Sequence, residues 1–159
     1  MAPRLGQKVP DFSLPDAEKN TRSLGEFLQK GTVILAFFPF AFSGTCDKEM
    51  CTFRDGFESL QSAKAQLVGI SVDSTYSLKA FAQTYNLQFP LLSDFNKKVV
   101  RTCGVLQDPW VGFGYRGVAK RAVFVIDGRG ILRYRWSTDV PSDEPPYAEV
   151  VKAAKKLSS

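Results

Sequence analysis

Six consecutive apolar residues, Val33-Ile34-Leu35-Ala36-Phe37-Phe38, stand out from the mixed pattern around them. Such a run suits a strand buried on both faces and falls well short of the ~20 residues of a membrane-spanning helix. Comparable runs recur at 67–72 and at Arg121–Ile126. Between the first two runs, Met50, Phe53, Phe57 and Leu60 recur at helical spacing, which predicts one amphipathic helix over 46–61. After the second, Ser74 is placed to cap a helix that turns Leu78, Phe81, Ala82 and Tyr85 to one side. A short strand at 89–92 and a short helix at 96–103, ended by Gly104, come next. The stretch 107–117 is rich in Gly and aromatics without a period and reads as a loop. Asp127-Gly128-Arg129-Gly130 is a hairpin signal, with 131–136 as the alternating partner strand. Pro145-Pro146 then introduce a last helix with Tyr147, Val150, Val151, Ala154 and Leu157 facing inward. Ahead of all this, prolines break 9–15 into short extended pieces, and Ser23 is placed to cap a turn over Leu24, Phe27 and Leu28.

Strand, helix, strand, helix, then hairpin and helix is the order of an α/β fold. Parallel crossovers first and an antiparallel pair last describe a thioredoxin-like sandwich, a central mixed β-sheet flanked by helices. With no repeat and no linker, residues 1–159 read as a single domain.

Composition changes this picture in three places. The net charge of +5 raises the question of nucleic acid, but the basic residues are scattered and no basic stripe interleaves with aromatics, so no nucleic-acid partner is expected. The absence of any apolar run near 20 residues and of a secretory hydrophobic region makes the expectation cytoplasmic, with no membrane partner. The complete absence of His removes imidazole acid–base chemistry, His-based triads and Cys/His zinc sites; no metal or cofactor is expected.

Chemistry then rests on three cysteines. Pro39 ends the first buried strand, having no N–H for a sheet ladder. A turn containing Gly44 follows, so Cys46 sits where a strand delivers the chain to a helix N-terminus. Free amides and the helix dipole stabilise a thiolate there. Cys51 lies five residues on. In a straight helix the two Cα atoms are roughly 8–9 Å apart, beyond the ~7 Å that a disulfide spans. A 46–51 bond therefore requires the helix to unwind, and the spacing leaves open whether the pair ever bonds. Cys103 suits packing, with a backup thiol as the alternative. Arg121 opens a buried strand; if that end abuts the Cys46 turn, its guanidinium would hold a thiolate and a polar oxygen together. Glu49 is either a first-turn acid favoured by the helix dipole or the residue that orients Arg121, and Ser43 is either a plain turn residue or a hydroxyl that meets a substrate.

Taken in order, Pro39-Phe40-Ala41-Phe42-Ser43-Gly44-Thr45-Cys46 resembles the peroxiredoxin motif Pro-x-x-x-Thr/Ser-x-x-Cys. With Glu49, Arg121 and the surrounding strands, the resemblance spans nearly the whole chain. Cys-x-x-x-x-Cys at 46 and 51 is similar to the Q-type (bacterioferritin comigratory protein) branch. The run 37–42 and Arg133-Tyr134-Arg135-Trp136 look closer to the alkyl hydroperoxide reductase E-like branch. The resemblance implies a thiol-dependent peroxidase acting on hydrogen peroxide and organic hydroperoxides. Cys46 would become a sulfenic acid. Arg121 would lower its pKa and bind a peroxide oxygen, Ser43 would hydrogen-bond the substrate, Pro39 would shield the thiolate and Glu49 would hold Arg121. Cys51 would resolve the sulfenic acid as an intramolecular disulfide, re-reduced by a thioredoxin-like donor. A one-cysteine enzyme resolved by an external thiol, a thioredoxin-type disulfide oxidoreductase and a metallochaperone on the same fold are the alternatives. A monomer or a homodimer is compatible with the chain, the aromatics at 40–42 and 110–115 being candidate contacts.

Overall fold

The computed structural model describes residues 2–109 and 113–158, Ser158 by its backbone alone. Strands β1 (Ser13–Pro15) and β2 (Thr21–Ser23) pair antiparallel and lead into α1 (Leu24–Leu28). Ser23 starts that helix with a full capping box: its hydroxyl accepts the Glu26 amide, and the Glu26 carboxylate accepts the Ser23 amide. The six-residue β3 (Thr32–Phe37) follows, then α2 (Thr45–Asp55) and α3 (Phe57–Ser62), and then β4 (Ala65–Ser71). Next come α4 (Thr75–Tyr85), capped by Ser74 as its sequence demands, β5 (Leu91–Ser93) and α5 (Lys98–Thr102). Two-residue strands β6 (Leu106–Gln107) and β7 (Val118–Ala119) precede β8 (Arg121–Ile126), β9 (Leu132–Thr138) and α6 (Tyr147–Ser158). Among the described residues no helix is long and apolar enough to cross a membrane.

The main sheet runs β5-β4-β3-β8-β9. β3, β4 and β5 are mutually parallel, joined by helical crossovers, while β8 runs antiparallel to β3 and β9 antiparallel to β8. The central strands are buried along their whole length because both sheet faces are covered. Strand period two sorts their side chains. Val33, Leu35, Phe37, Phe124 and Ile126 enter one core with α1 and α5, whereas Ile34, Ala36, Phe38, Val123 and Val125 enter the other with α2, α3, α4 and α6. The fold is the thioredoxin-like sandwich that the pattern predicts.

Two details depart from the sequence reading. The helix expected over 46–61 breaks at Gly56, which lies between α2 and α3 at φ −93° and ψ 7°. The apolar period continues across the break, so periodicity alone does not reveal it. The loop read over 107–117 is bounded by a strand pair that the sequence did not announce, β6 with β7, Leu106 opposite Ala119 and Gln107 opposite Val118, and only Gln107 of that stretch belongs to it. Such a short pairing leaves no periodic signal. Trp110, proposed as an interface aromatic, lies outside the described residues.

Candidate active site

The site forms where β3 ends. Phe38 still donates its amide to Ile70 O, but Pro39 cannot extend the ladder, and the chain leaves the sheet. Phe42 takes a left-handed φ of +66° and Gly44 one of +79° as the backbone turns back. Two contacts fix this turn. Asp73, just past β4, accepts the Ala41 amide at 2.8 Å, and the Phe42 ring meets Phe81 edge-on at 5.1 Å. Helix α2 then starts at Thr45, which makes Cys46 its second residue, among amides that have no partner within the helix.

β8 supplies the opposite wall. It runs antiparallel to β3, with Ala122 opposite Phe37, so its first residue lies beside the point where β3 gives way to the turn. Arg121 belongs to the same alternating set as Val123 and Val125 and therefore faces α2. Glu49 meets it there, one helical turn after Cys46. The Arg121 Nη1 donates to Glu49 Oε1 at 2.9 Å, and Nη2 donates to Pro141 O at 2.8 Å. Arg121 is 2% exposed and Glu49 and Cys46 are fully buried. Arg121 Nε and Glu49 Oε2 are buried without a hydrogen-bond partner among the described residues. The guanidinium held by Glu49 and Pro141 also reaches the Cys46 side chain.

Burial pushes the Cys46 thiol above its ordinary value of 9.0. The Arg121 charge, the Ser43 hydroxyl and the Phe40 backbone amide pull it down, and the Glu49 charge adds to the rise. Arg121 acts in the expected direction, but desolvation outweighs it in this closed arrangement. Burial also lifts Glu49 to about 7 against the pull of Arg121. Arg121 itself is held above its ordinary value by Glu49 and Cys46, against desolvation.

The structure therefore gathers Cys46, Ser43, Glu49 and Arg121, with buried Pro39 at the strand exit. Cys51 is half-buried on the same unbroken α2, so the helical separation from Cys46 stands and all three cysteines are free thiols. Cys103 is buried in the other core, on the far face of the sheet, and burial lifts its thiol to about 12. Trp136 packs at the edge of the core that holds Cys46. Three supports escaped sequence reasoning because they join distant segments. Asp73 anchors the turn, the Pro141 carbonyl holds Arg121, and Tyr85 donates its hydroxyl to Asp47 on α2. The acid after β4, at the sheet end where β3 also exits, was the one usable signal for Asp73. Among the described residues no group of three or more His, Cys, Asp or Glu is placed to hold a metal ion.

Residues 5–135 match the family described as AhpC/TSA. The Triticum aestivum chloroplastic peroxiredoxin Q is 36% identical over 152 residues, covering 96% of this chain and 67% of that one. The Coxiella burnetii peroxiredoxin bcp is 39% identical over 137 residues, covering 86% of this chain and 89% of that one. Among solved structures, the Mycobacterium tuberculosis peroxidoxin BcpB superposes with a TM-score of 0.85 at 32% identity, covering 97% of each chain.

Proposed function

Because this chain belongs to the AhpC/TSA family and is a peroxiredoxin, a thiol peroxidase that takes a peroxide as substrate and a thiol as reductant, we propose that Cys46 is the residue that is oxidised and Cys51 the one that resolves it. The observation that carries this reading is the buried Arg121, fixed by Glu49 and Pro141 O against the Cys46 side chain, with its Nε left without a partner among the described residues. That N–H and the Ser43 hydroxyl are the donors available to a peroxide; Pro39 keeps the pocket closed to water. As Cys46 loses its proton, its sulfur attacks the terminal peroxide oxygen. The S–O bond forms as the O–O bond breaks. Arg121 and the first-turn amides of α2 stabilise charge on both oxygens. The departing alkoxide or hydroxide takes up a proton, leaving an alcohol or water and a Cys46 sulfenic acid.

Resolution follows when the Cys51 thiolate attacks the Cys46 sulfur, displacing hydroxide, which leaves as water after protonation. Both cysteines lie on α2, so its first turns unwind for the disulfide to form. A thioredoxin-like dithiol then reduces the bond by exchange, oxidised in its turn. A reducing compartment such as the cytoplasm suits a chain with three free thiols, and residues 1–159 act in this reading as one unit.

The test is peroxide consumption with a dithiol reductant: Cys46→Ser abolishes it. Full activity in that variant overturns the assignment.

A further inference from the structure

Beside the active-site turn lies an open groove of about 640 Å³ that Cys46 does not line. Phe40, Phe42, Phe113 and Tyr115 supply apolar walls, and Ser43 lines it too. Ser43 is also the residue whose hydroxyl reaches Cys46, so one side chain joins the groove to the sulfur.

Two basic residues line it, and they are not equivalent. Arg116 is engaged by Asp108 at 2.7 Å. Lys97 has no acidic side chain within ion-pair distance among the described residues. Its placement rests on two backbone features that converge. Lys97 has a left-handed φ of +63°, uncommon for a residue with a side chain. Its stem crosses Gly117, itself at φ +73°, and a Cβ at Gly117 would stand 2.9 Å from Lys97 Cδ and 3.2 Å from Nζ. The Lys97 stem thus lies directly over the Gly117 backbone. One ammonium without an acidic partner among the described residues therefore stands at the side of an apolar groove.

Building on the peroxidase reading of the site, we propose that this groove binds the organic part of hydroperoxides that carry an anionic group, and that Lys97 is the residue selecting them. The apolar walls hold the hydrocarbon, the Lys97 ammonium pairs with the carboxylate, and Ser43 receives the peroxide end. The net charge of +5 favours approach of the same substrates.

The experiment compares kcat/KM for cumene hydroperoxide and for its 4-carboxylate analogue, in wild type and in Lys97→Met and Lys97→Glu. Lys97→Met keeps the aliphatic stem over Gly117. The wild type favours the carboxylated peroxide by about twofold to fivefold, the range of a solvent-accessible ion pair. The preference falls to about one in Lys97→Met and reverses in Lys97→Glu. Calorimetric titration with 4-isopropylbenzoate, which has no O–O bond, reads the groove without turnover: wild type binds it and Lys97→Met binds it several-fold more weakly. Absence of a preference in wild type, or a preference that survives Lys97→Met, overturns the proposal. Failure of the wild type to consume hydrogen peroxide would instead overturn the peroxidase reading, which this groove does not govern.

Discussion

Arg121 and Glu49 lie 72 residues apart in sequence and form an ion pair at 2.9 Å inside the core, their side chains 1% and 0% exposed. A pair so buried is held by geometry as much as by charge, because either partner alone would leave an uncompensated ion in a medium that solvates it poorly. Here the pair also orients the guanidinium towards Cys46. Removing Arg121 accordingly has two effects. Arg121→Met destabilises the fold by about 3–5 kcal/mol, the usual result of breaking one side of a buried pair. It also lowers kcat/KM by about 100-fold or more, the loss that follows removal of a donor aimed at developing charge. Denaturant unfolding and steady-state peroxide consumption measure the two separately. The Cys46 thiol rises further in this variant because a cation that lowers it is gone, so the pH midpoint of Cys46 alkylation moves up.

The same pair makes stability depend on pH. Folded Glu49 holds its proton to about 7, whereas the unfolded chain releases it near the ordinary 4.5. Between those values folding takes up a proton, so the contribution of Glu49 to stability is complete below 4.5 and is lost as the pH rises through about 7. Glu49→Gln keeps a hydrogen-bond acceptor for Arg121 and cannot titrate. The stability difference between wild type and Glu49→Gln therefore changes across this window, in the direction that weakens wild type at the higher pH. Urea unfolding of both proteins at pH 5 and pH 8 checks the sign.

This pairing was legible in part. Glu49 follows Cys46 by three residues, and Arg121 opens a strand whose unbroken apolar run marks it as buried, so their elements could be read directly. What was not legible is desolvation. The expected drop of the Cys46 thiol was argued from local causes, the helix N-terminus and a nearby cation. The rise follows from complete burial beneath a turn fixed by Asp73, and that contact spans 32 residues. The break at Gly56 was hidden for a different reason, since Met50, Phe53, Phe57 and Leu60 keep one period through it.

Cys103 provides a contrast with Cys46. Its thiol is lifted to about 12 by burial, with no partner that offsets this fully. Below pH 9 it is protonated in folded and unfolded chains alike; above that, stability falls as the unfolded state alone ionises. Timed alkylation at neutral pH with peptide analysis labels Cys51 ahead of Cys103, and Cys103 reacts at the rate of unfolding. Rapid native labelling of Cys103 would show that it is accessible.

In the proposed resolution step, the tethers on α2 set how readily Cys51 reaches Cys46. Tyr85 holds Asp47, Arg54 donates to Tyr85 O at 2.8 Å, and Lys48 pairs with Glu144 at 3.0 Å. Tyr85→Phe keeps the ring packing on Phe81 and removes the hydroxyl. A lost hydrogen bond to a carboxylate, about 1.5 kcal/mol, corresponds to disulfide formation about tenfold faster. Stopped-flow fluorescence after a peroxide pulse follows that step; an unchanged rate would mean that this tether does not limit unwinding.

The most direct test of the central claim is where the first oxidising equivalent goes. Reduced protein is treated with one equivalent of hydrogen peroxide, quenched with an alkylating agent, and analysed by intact mass and peptide mapping. The account predicts a Cys46–Cys51 disulfide with Cys103 alkylated, and in Cys51→Ser a sulfenic acid on Cys46. Oxidation that begins at Cys51 or Cys103 while Cys46 remains a free thiol would contradict it.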